Sequence, residues 1–210
     1  MARKTKQASQ LTCAQVLDAA SWCFRIQGIY RTTISAIANR AGVSRGAVYW
    51  HFQNKEQLLA AVLDRGHVPI LERLMDVTRA SAPVLPALRA CMVQLALDVQ
   101  STPHMREALE IIFRHGDFAG ECMPPWPPQQ EMIGRTNGVL RVVFARAALA
   151  GELPIAASHQ AALLTGFAFF QTLRNCVIAD ARAVSRPSSI EGLDLLFAWI
   201  SAQIRGAEAD

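Results

Sequence analysis

The sequence predicts an all-α protein with a small N-terminal domain and a larger helical body. Hydrophobic residues make up 51% of the 210 residues, and Ala and Leu are plentiful, which favours helices around a substantial core. Apolar side chains recur at the i, i+3/i+4 spacing of amphipathic helices, whereas the alternation typical of strands is scarce. Only twelve glycines and ten prolines interrupt this pattern, and the length suits one large domain or two small ones.

Positive charge is concentrated near the N-terminus. Residues 1–66 contain nine Lys and Arg against three Asp and Glu, a balance of +6, and the remainder has twelve against fourteen, a balance of −2. The two balances add to the net charge of +4. A basic head on a near-neutral body indicates that the head meets a polyanion.

The chain begins with a short basic segment and one amphipathic helix. Residues 1–10 are expected to form a flexible arm whose basic side chains reach the polyanion: Arg3, Lys4 and Lys6. The apolar spacing over 12–27 predicts a helix, and Gly28 lies where a left-handed residue would end it. No apolar signal-peptide segment follows the arm, so we expect a cytoplasmic protein.

Two short helices joined by a tight turn come next. Thr33 is placed to cap the first of them and Ser44 the second. Gly42 supplies the positive φ that the turn needs, and Ala38 supplies a small side chain where the helices touch. Together these features predict a helix-turn-helix. We therefore expect a DNA-binding domain over residues 11–56.

The body, residues 57–210, is predicted to consist of long helices. Asn54 caps the first, which enters the body and runs to about Met75 with a bend near Pro69. The others are expected over 84–100, 103–117, 128–150, 158–180 and 187–205, with a proline-rich connection at 123–130. The most apolar stretch, 161–173, is too short to span a bilayer, so no membrane partner is expected.

The helix that begins at Ser44 carries the side chains expected to bind DNA. Arg45 and Tyr49 are four residues apart and share one face, and a guanidinium there can fork onto guanine O6 and N7. Gly46 lets the backbone come close to the duplex, and Tyr49 offers a flat face to a thymine methyl group. The other candidates lie at or near helix N-termini, with phosphates as the expected partners: Thr33, Ser44, His51 and Lys55.

Three other side chains of this segment are expected to be buried. Val48 and Phe52 are four residues apart and form the inward face. For Trp50, packing in the core or between the head and the body is favoured.

Enzymatic and metal chemistry have little support in the sequence. The five cysteines are widely spaced, without a C-x-x-C pair, which indicates reduced thiols and neither a disulfide framework nor a zinc site. His51 as a general base would need a partner, and only Glu56 and Asp64 are near it in the chain. No catalytic residue, metal or cofactor is therefore assigned. Two alternatives stay open: a small helical enzyme acting on a hydrophobic substrate, and a DNA-binding protein without ligand control.

The stretch GIYRTTISAIANRAGVSRGAVYWHFQNKEQLL resembles the DNA-binding head of the TetR family of bacterial one-component repressors. The family pattern is matched without a gap by Gly28, Thr33, Ile37, Ala38, Ala41, Gly42, Val43, Ser44, Gly46, Tyr49, His51, Phe52, Lys55 and Leu58. The opening MARKTK and the RGAVYWH segment are most similar to the AcrR-type branch, which represses multidrug-efflux operons. Thr12-Cys13 stand where the family usually has an Arg, and the prolines of 123–130 also depart from the branch.

The resemblance implies a body that binds a small hydrophobic effector and forms a homodimer through its last two long helices. The apolar surfaces of 161–178 and 193–200 suit such an interface. Candidate pocket residues are His67, Met92, Phe113, Trp126, Phe167, Phe170 and Gln171. The expected function is repression from a palindromic operator in double-stranded DNA, ended when the effector moves the helix over 54–75 and changes the spacing of the two heads.

Overall fold

The computed structural model describes residues 2–79, 83–117, 126–178 and 186–207, and these residues confirm the all-α prediction. They contain α-helices and one 3-10 turn, Val77–Arg79, and no strand. The helices are α1 (Ala2–Gln27), α2 (Ile34–Ala41), α3 (Arg45–His51), α4 (Lys55–Asp76), α5 (Val84–Ser101), α6 (Pro103–Asp117), α7 (Pro127–Leu149), α8 (Ile155–Ile178) and α9 (Arg186–Ala207). The predicted helices all occur, most with ends within about three residues of those expected.

The N-terminal segment differs from its prediction. Helix α1 extends back to Ala2, so residues 2–10 continue the helix where a flexible arm was expected. The segment has Ala, Arg, Lys and Gln, which favour helices, and no Gly or Pro interrupts 2–27. The basic side chains were interpreted as a sign of an unfolded arm, although they are also good helix formers.

The short helices of the head begin and end at the predicted residues. Gly42 has φ of 68°, the left-handed conformation that ends α2, and its N–H bonds back into that helix. Three side-chain oxygens each accept a hydrogen bond from the backbone N–H three residues later: Thr33 from Ala36 (3.1 Å), Ser44 from Ala47 (3.1 Å) and Asn54 from Gln57 (2.7 Å). Local capping chemistry therefore defines the helix-turn-helix before any long-range packing is considered.

Helix α4 connects the head to the body. It packs against α1 on the head side and against α6 and α7 in the body. Pro69 lies inside it without ending it. The crossing with α6 is close at Gly66, where a Cβ atom would lie 2.6 Å from both the Ala108 Cβ and the His104 carbonyl oxygen. A glycine is therefore needed for α4 and α6 to touch at this depth.

The body is built around α8, which packs against α5, α6, α7 and α9. Among the described helices α8 is the one long and apolar enough, with 24 residues, to cross a membrane by length and composition, and half of its apolar window is buried in the protein. This helix is longer than the apolar stretch 161–173 considered in the sequence, because it extends beyond that stretch at both ends. Packing on four neighbouring helices is the behaviour of a core helix.

The N-terminus of α5 is capped from a distant part of the chain. Pro83 precedes this helix and provides no side-chain cap. The Glu152 carboxylate, in the turn between α7 and α8, instead accepts the N–H groups of Val84 (2.5 Å) and Leu85 (2.7 Å). A carboxylate at a helix N-terminus also meets the positive end of the helix dipole.

Candidate DNA-binding surface and effector pocket

Helix α3 presents one face to the core and the other to solvent. Val48 is fully buried and Phe52 is 6% exposed, which confirms their predicted inward orientation. Arg45 and Gly46 are exposed, and Tyr49 keeps 47% of its surface accessible. The structure thus places an arginine, a glycine and a tyrosine on one outward surface.

Trp50 does not pack in a core or between domains, so that interpretation was wrong. Its side chain is 83% exposed. The sequence contained the reason: Trp50 follows the buried Val48 by two residues, and two residues turn an α-helix by about 200°. An indole in this position adds apolar area to the outward surface of α3.

Gly46 is not required by the fold of the chain itself. A Cβ atom at this position would meet only Ser44 Oγ, at 3.7 Å, which is an ordinary contact distance. Its φ is not positive either, in contrast to Gly28 and Gly42. Any demand for glycine at 46 must therefore come from outside the chain.

The other polar candidates for phosphate contact differ in their exposure. Thr33 and Ser44 are exposed, and because their oxygens accept the capping N–H groups, their O–H groups remain able to donate. The half-buried His51 lies beside Phe52, with 6.2 Å between the ring centres. The side chains of Arg3, Lys4 and Lys6 lie outside the described part of the structure.

The half-buried Lys55 bonds to the backbone of the head itself. Its Nζ donates to the carbonyl oxygens of Ile29 (3.0 Å) and Thr32 (3.3 Å), in the loop between α1 and α2. The ammonium group thus fixes the loop that precedes α2, and its contact with a phosphate stays a prediction, because a third N–H remains able to donate. Helix-period reasoning could not show this, because the acceptors are more than twenty residues away.

Ion pairs connect the head to the body. Arg25, in the last turn of α1, donates to Glu110 Oε2 (2.6 Å) and Glu107 Oε1 (3.1 Å) of α6. Ser21 also donates to Glu107, at 2.8 Å. Glu110 is buried, which raises its pKa, but hydrogen bonds from Arg106 and Arg25 outweigh the burial and leave the pKa below its ordinary value. The carboxylate is thus held ionised between two domains.

A cavity of about 150 Å³ opens between α4, α7 and α8. Its lining is mostly apolar and aromatic, and no lining residue is acidic. The lining residues are His67, Ile70, Met132, Ile133, Thr136, Asn137, Leu163, Gly166, Phe167, Phe169, Phe170 and Leu173.

The cavity includes some of the predicted pocket residues and leaves out others. His67, Phe167 and Phe170 line it, whereas Met92, Phe113, Trp126 and Gln171 do not. Met92 and Phe113 are buried core residues, and the Phe113 ring packs edge-on against Phe170, with 4.8 Å between ring centres. An apolar side chain on a predicted helix cannot be assigned to core or pocket without knowing what it faces.

Helix α7 supplies pocket residues that the sequence reasoning missed. Met132, Ile133, Thr136 and Asn137 follow the spacing of one helix face and all line the cavity. The signal was present, because two polar residues sit there among apolar neighbours on a body helix. The Asn137 side chain lies over Gly166 of α8, where a Cβ atom would come within 2.1 Å of Asn137 Oδ1.

His67 is the one titratable residue of the lining. Burial, assisted by the charge of Arg135 and only partly opposed by that of Asp64, lowers its pKa to about 4. Arg135 and Asp64 also pair with each other, at 2.6 Å. The imidazole, whose Nε2 lies 3.1 Å from Thr136 Oγ1, is therefore neutral near pH 7.

The described residues contain no group of three or more His, Cys, Asp or Glu able to hold a metal ion. Burial raises the pKa of the Cys23 thiol and of the Cys91 thiol. Raised thiol pKa values disfavour the thiolate on which nucleophilic reactivity depends.

A helix-turn-helix with an exposed face on its second helix, attached to a helical body with a cavity, is the architecture of a DNA-binding protein with space for a small molecule. The model of the bacterial regulatory proteins of the tetR family matches residues 16–62. SrpR of Pseudomonas putida is 34% identical over 162 residues, 74% of this chain and 70% of that protein. TtgR, also of Pseudomonas putida, is 29% identical over 202 residues, 95% of this chain and 93% of that protein.

Solved structures agree with these relatives. The SmeT–triclosan complex superimposes with a TM-score of 0.77, at 27% identity over 90% of both chains. Another structure of SmeT, described as the repressor of the Stenotrophomonas maltophilia multidrug efflux pump SmeDEF, gives 0.75 over 91% of both chains, again at 27% identity.

The chain belongs to the TetR family. It is a helix-turn-helix transcriptional repressor that binds double-stranded operator DNA. As a DNA-binding regulator of this type it acts in the cytoplasm.

Proposed function

We propose that this repressor controls a multidrug-efflux operon and leaves its operator when a hydrophobic molecule enters the cavity between α4, α7 and α8. The observation that carries the proposal is the position of this mostly apolar cavity, directly against the helix that begins in the head. The relative SmeT, described as a repressor of a multidrug efflux pump, supports the choice of operon.

The outward surface of α3 is proposed to enter the major groove. Arg45 would bind a base edge and Tyr49 a thymine methyl group or a phosphate, and the absent side chain of Gly46 would allow close approach. Trp50 joins this set, because an exposed indole has apolar area for the sugar–phosphate wall. The hydroxyls of Thr33 and Ser44 and the His51 ring are assigned to phosphates.

Two connections can transmit ligand binding to the head. Helix α4 begins at Lys55, which holds the loop before α2, and it also carries His67 into the cavity. The second connection is the pairing of Arg25 with Glu107 and Glu110, which ties α1 to α6. A ligand shifts the equilibrium only by the difference between its affinities for the two head spacings.

The dimer interface is assigned to α8 and α9. Both helices keep large apolar side chains exposed in the single chain: Leu163, Leu164, Phe167, Ile178, Leu195 and Trp199. A second copy would remove this surface from water, as in a four-helix interface. We also propose the head over 11–56 and the body over 57–210 as the units that move relative to each other, and nucleoid association of the DNA-bound dimer.

DNase footprinting on the DNA upstream of its own gene tests the proposal. We expect a palindromic footprint with two half-sites about one helical turn, roughly 34 Å, apart, which is lost when hydrophobic drugs are added. A footprint that no hydrophobic compound removes would support a DNA-binding protein without ligand control. No footprint at moderate salt would contradict the proposed function and would favour the alternative of a small helical enzyme.

A further inference from the structure

We propose that the cavity selects uncharged aromatic molecules carrying an O–H or N–H group, and that this group donates a hydrogen bond to Nδ1 of His67. The inference rests on the proposed function, because it concerns the same effector site. It goes further by naming the acceptor atom and the chemical class of the effector.

The hydrogen bonds around His67 determine which ring nitrogen carries the proton. The Thr136 hydroxyl has a single hydrogen and donates it to the Met132 carbonyl oxygen, at 2.9 Å. At its 3.1 Å contact with His67 Nε2 the same oxygen must therefore accept, so Nε2 bears the N–H. In a neutral imidazole the other nitrogen, Nδ1, is then an acceptor.

Nδ1 is available to a ligand. The structure gives it no partner among the described residues. Within that part of the chain, Thr165 Oγ1 is the only fully buried side-chain nitrogen or oxygen without a partner, so Nδ1 retains accessible surface. His67 lines the cavity. An acceptor on an apolar wall favours ligands that can donate a hydrogen bond over ligands that cannot. A ligand without a donor expels water and leaves the acceptor unpaired, which costs about 1–3 kcal/mol.

The surroundings favour an uncharged ligand. The lining has no acidic side chain to balance a cation. The neighbouring charges, Arg135 and Asp64, are already paired with each other. The imidazole, with its pKa lowered to about 4, carries no charge for an anion near pH 7.

The size and the walls favour an aromatic ring. A cavity of about 150 Å³ lined mostly by aliphatic and aromatic side chains is enough for a benzene-sized molecule. Phe167, Phe169 and Phe170 offer ring faces and edges, and the Asn137 amide, which has no partner among the described residues, provides a second polar group.

A matched pair of compounds tests the inference. 2-Naphthol and 2-methoxynaphthalene share their ring system and are both uncharged at pH 7, but only the naphthol can donate a hydrogen bond. We expect calorimetric titration of the full-length dimer to give about tenfold tighter binding of the naphthol. In His67→Leu this preference should disappear, whereas His159→Leu, which changes an exposed histidine of α8, should keep it.

Thr136→Val provides an independent variant if His67→Leu does not fold. It removes the acceptor that holds the proton on Nε2, so the imidazole can move its proton to Nδ1 and the preference should shrink. Equal affinity for the two compounds in the wild-type protein, no binding of either, or a preference that survives His67→Leu would overturn the inference. Operator binding, measured without any compound, tests the proposed function separately. If the protein binds its operator but has equal affinity for the two compounds, only this inference is contradicted.

Discussion

The residues of α3 show how the two faces of a seven-residue helix have different roles. Val48 and the following Phe52 anchor the helix to the head, and the outward positions are left without a structural task. Folding alone does not require a glycine at position 46, and it does not favour an exposed tryptophan at position 50. Both lie on the surface that is proposed to enter the major groove.

Arg45→Ala tests base recognition by this surface. We expect a loss of about 1–3 kcal/mol in operator binding and a relaxed sequence preference, because a bidentate contact to guanine would be lost. Gel-shift titrations on operator and random DNA at the same salt concentration measure both effects. Equal weakening on the two DNAs would show that Arg45 contacts phosphate only.

Lys55→Met tests the structural role of this lysine. Because its ammonium donates to the carbonyl oxygens of Ile29 and Thr32, we expect a loss of about 1–3 kcal/mol in the stability of the head, measured by urea unfolding. Arg31→Met, which removes an exposed cation of the same loop, should change stability little. If Lys55→Met leaves stability unchanged but reduces the salt dependence of DNA binding by about one unit of log–log slope, the phosphate assignment would be right after all.

His67 gives the fold a dependence on pH. The unfolded imidazole takes up a proton near pH 6.5 and the folded one only near pH 4, so between these values the unfolded chain binds more protons. Stability therefore falls as the pH falls through this window, by about 2–3 kcal/mol between pH 7 and pH 4.5.

His67→Gln should remove that part of the pH dependence. Urea unfolding at the two pH values, on the wild-type protein and the variant, isolates the contribution of this residue from that of the carboxylates. His159→Gln serves as the control, because His159 is exposed. The same pH slope in wild type and His67→Gln would refute the lowered pKa.

At the scale of the elements, the contacts of α4 with its neighbours explain how one helix belongs to both domains. Its N-terminal end is fixed to the loop before α2, its middle touches α6 through Gly66, and its inner face lines the cavity at His67 and Ile70. In the proposed mechanism, a shift of α4 changes the position of the head directly.

Gly66→Ala tests the close crossing of α4 and α6. Alanine in a helix interior ordinarily stabilises by about 0.5–1 kcal/mol relative to glycine. Here the added methyl group would meet the His104 carbonyl oxygen and Ala108 at 2.6 Å, so we expect a net loss of about 1–3 kcal/mol in thermal or urea unfolding. Gly134→Ala, in α7 with nothing within 4 Å, should stabilise the protein. Stabilisation by both substitutions would rule out a tight crossing.

At the scale of the whole molecule, the exposed apolar surfaces of α8 and α9 support the interface proposed for a second copy. Leu195 on α9 is 72% exposed in the single chain, a large value for a leucine on a helix that otherwise packs on α8.

Leu195→Glu should weaken the dimer, because it places a charge in the proposed apolar interface. Analytical ultracentrifugation should show monomers at concentrations where the wild-type protein is dimeric, and operator affinity should fall with the loss of paired heads. Leu149→Glu, at an even more exposed position at the end of α7, is the control. A dimer that persists in Leu195→Glu would place the interface elsewhere.

The sequence by itself determined those features that depend on neighbours in the chain. Thr33, Ser44 and Asn54 cap helices, and Gly42 takes positive φ, because these are interactions over three or four residues. The all-α class, the helix order and the inward face of α3 follow from the same local periodicity. The family resemblance rests on these local positions as well.

The tertiary structure decided which groups from distant segments meet. Lys55 finds carbonyl oxygens more than twenty residues back, Glu152 caps α5 from 67 and 68 residues away, and Arg25 pairs with α6. Only packing separates the cavity wall at Phe167 from the core at Met92. The physical reason is that helical periodicity gives the direction of a side chain relative to its own helix, whereas its role depends on the element that lies opposite.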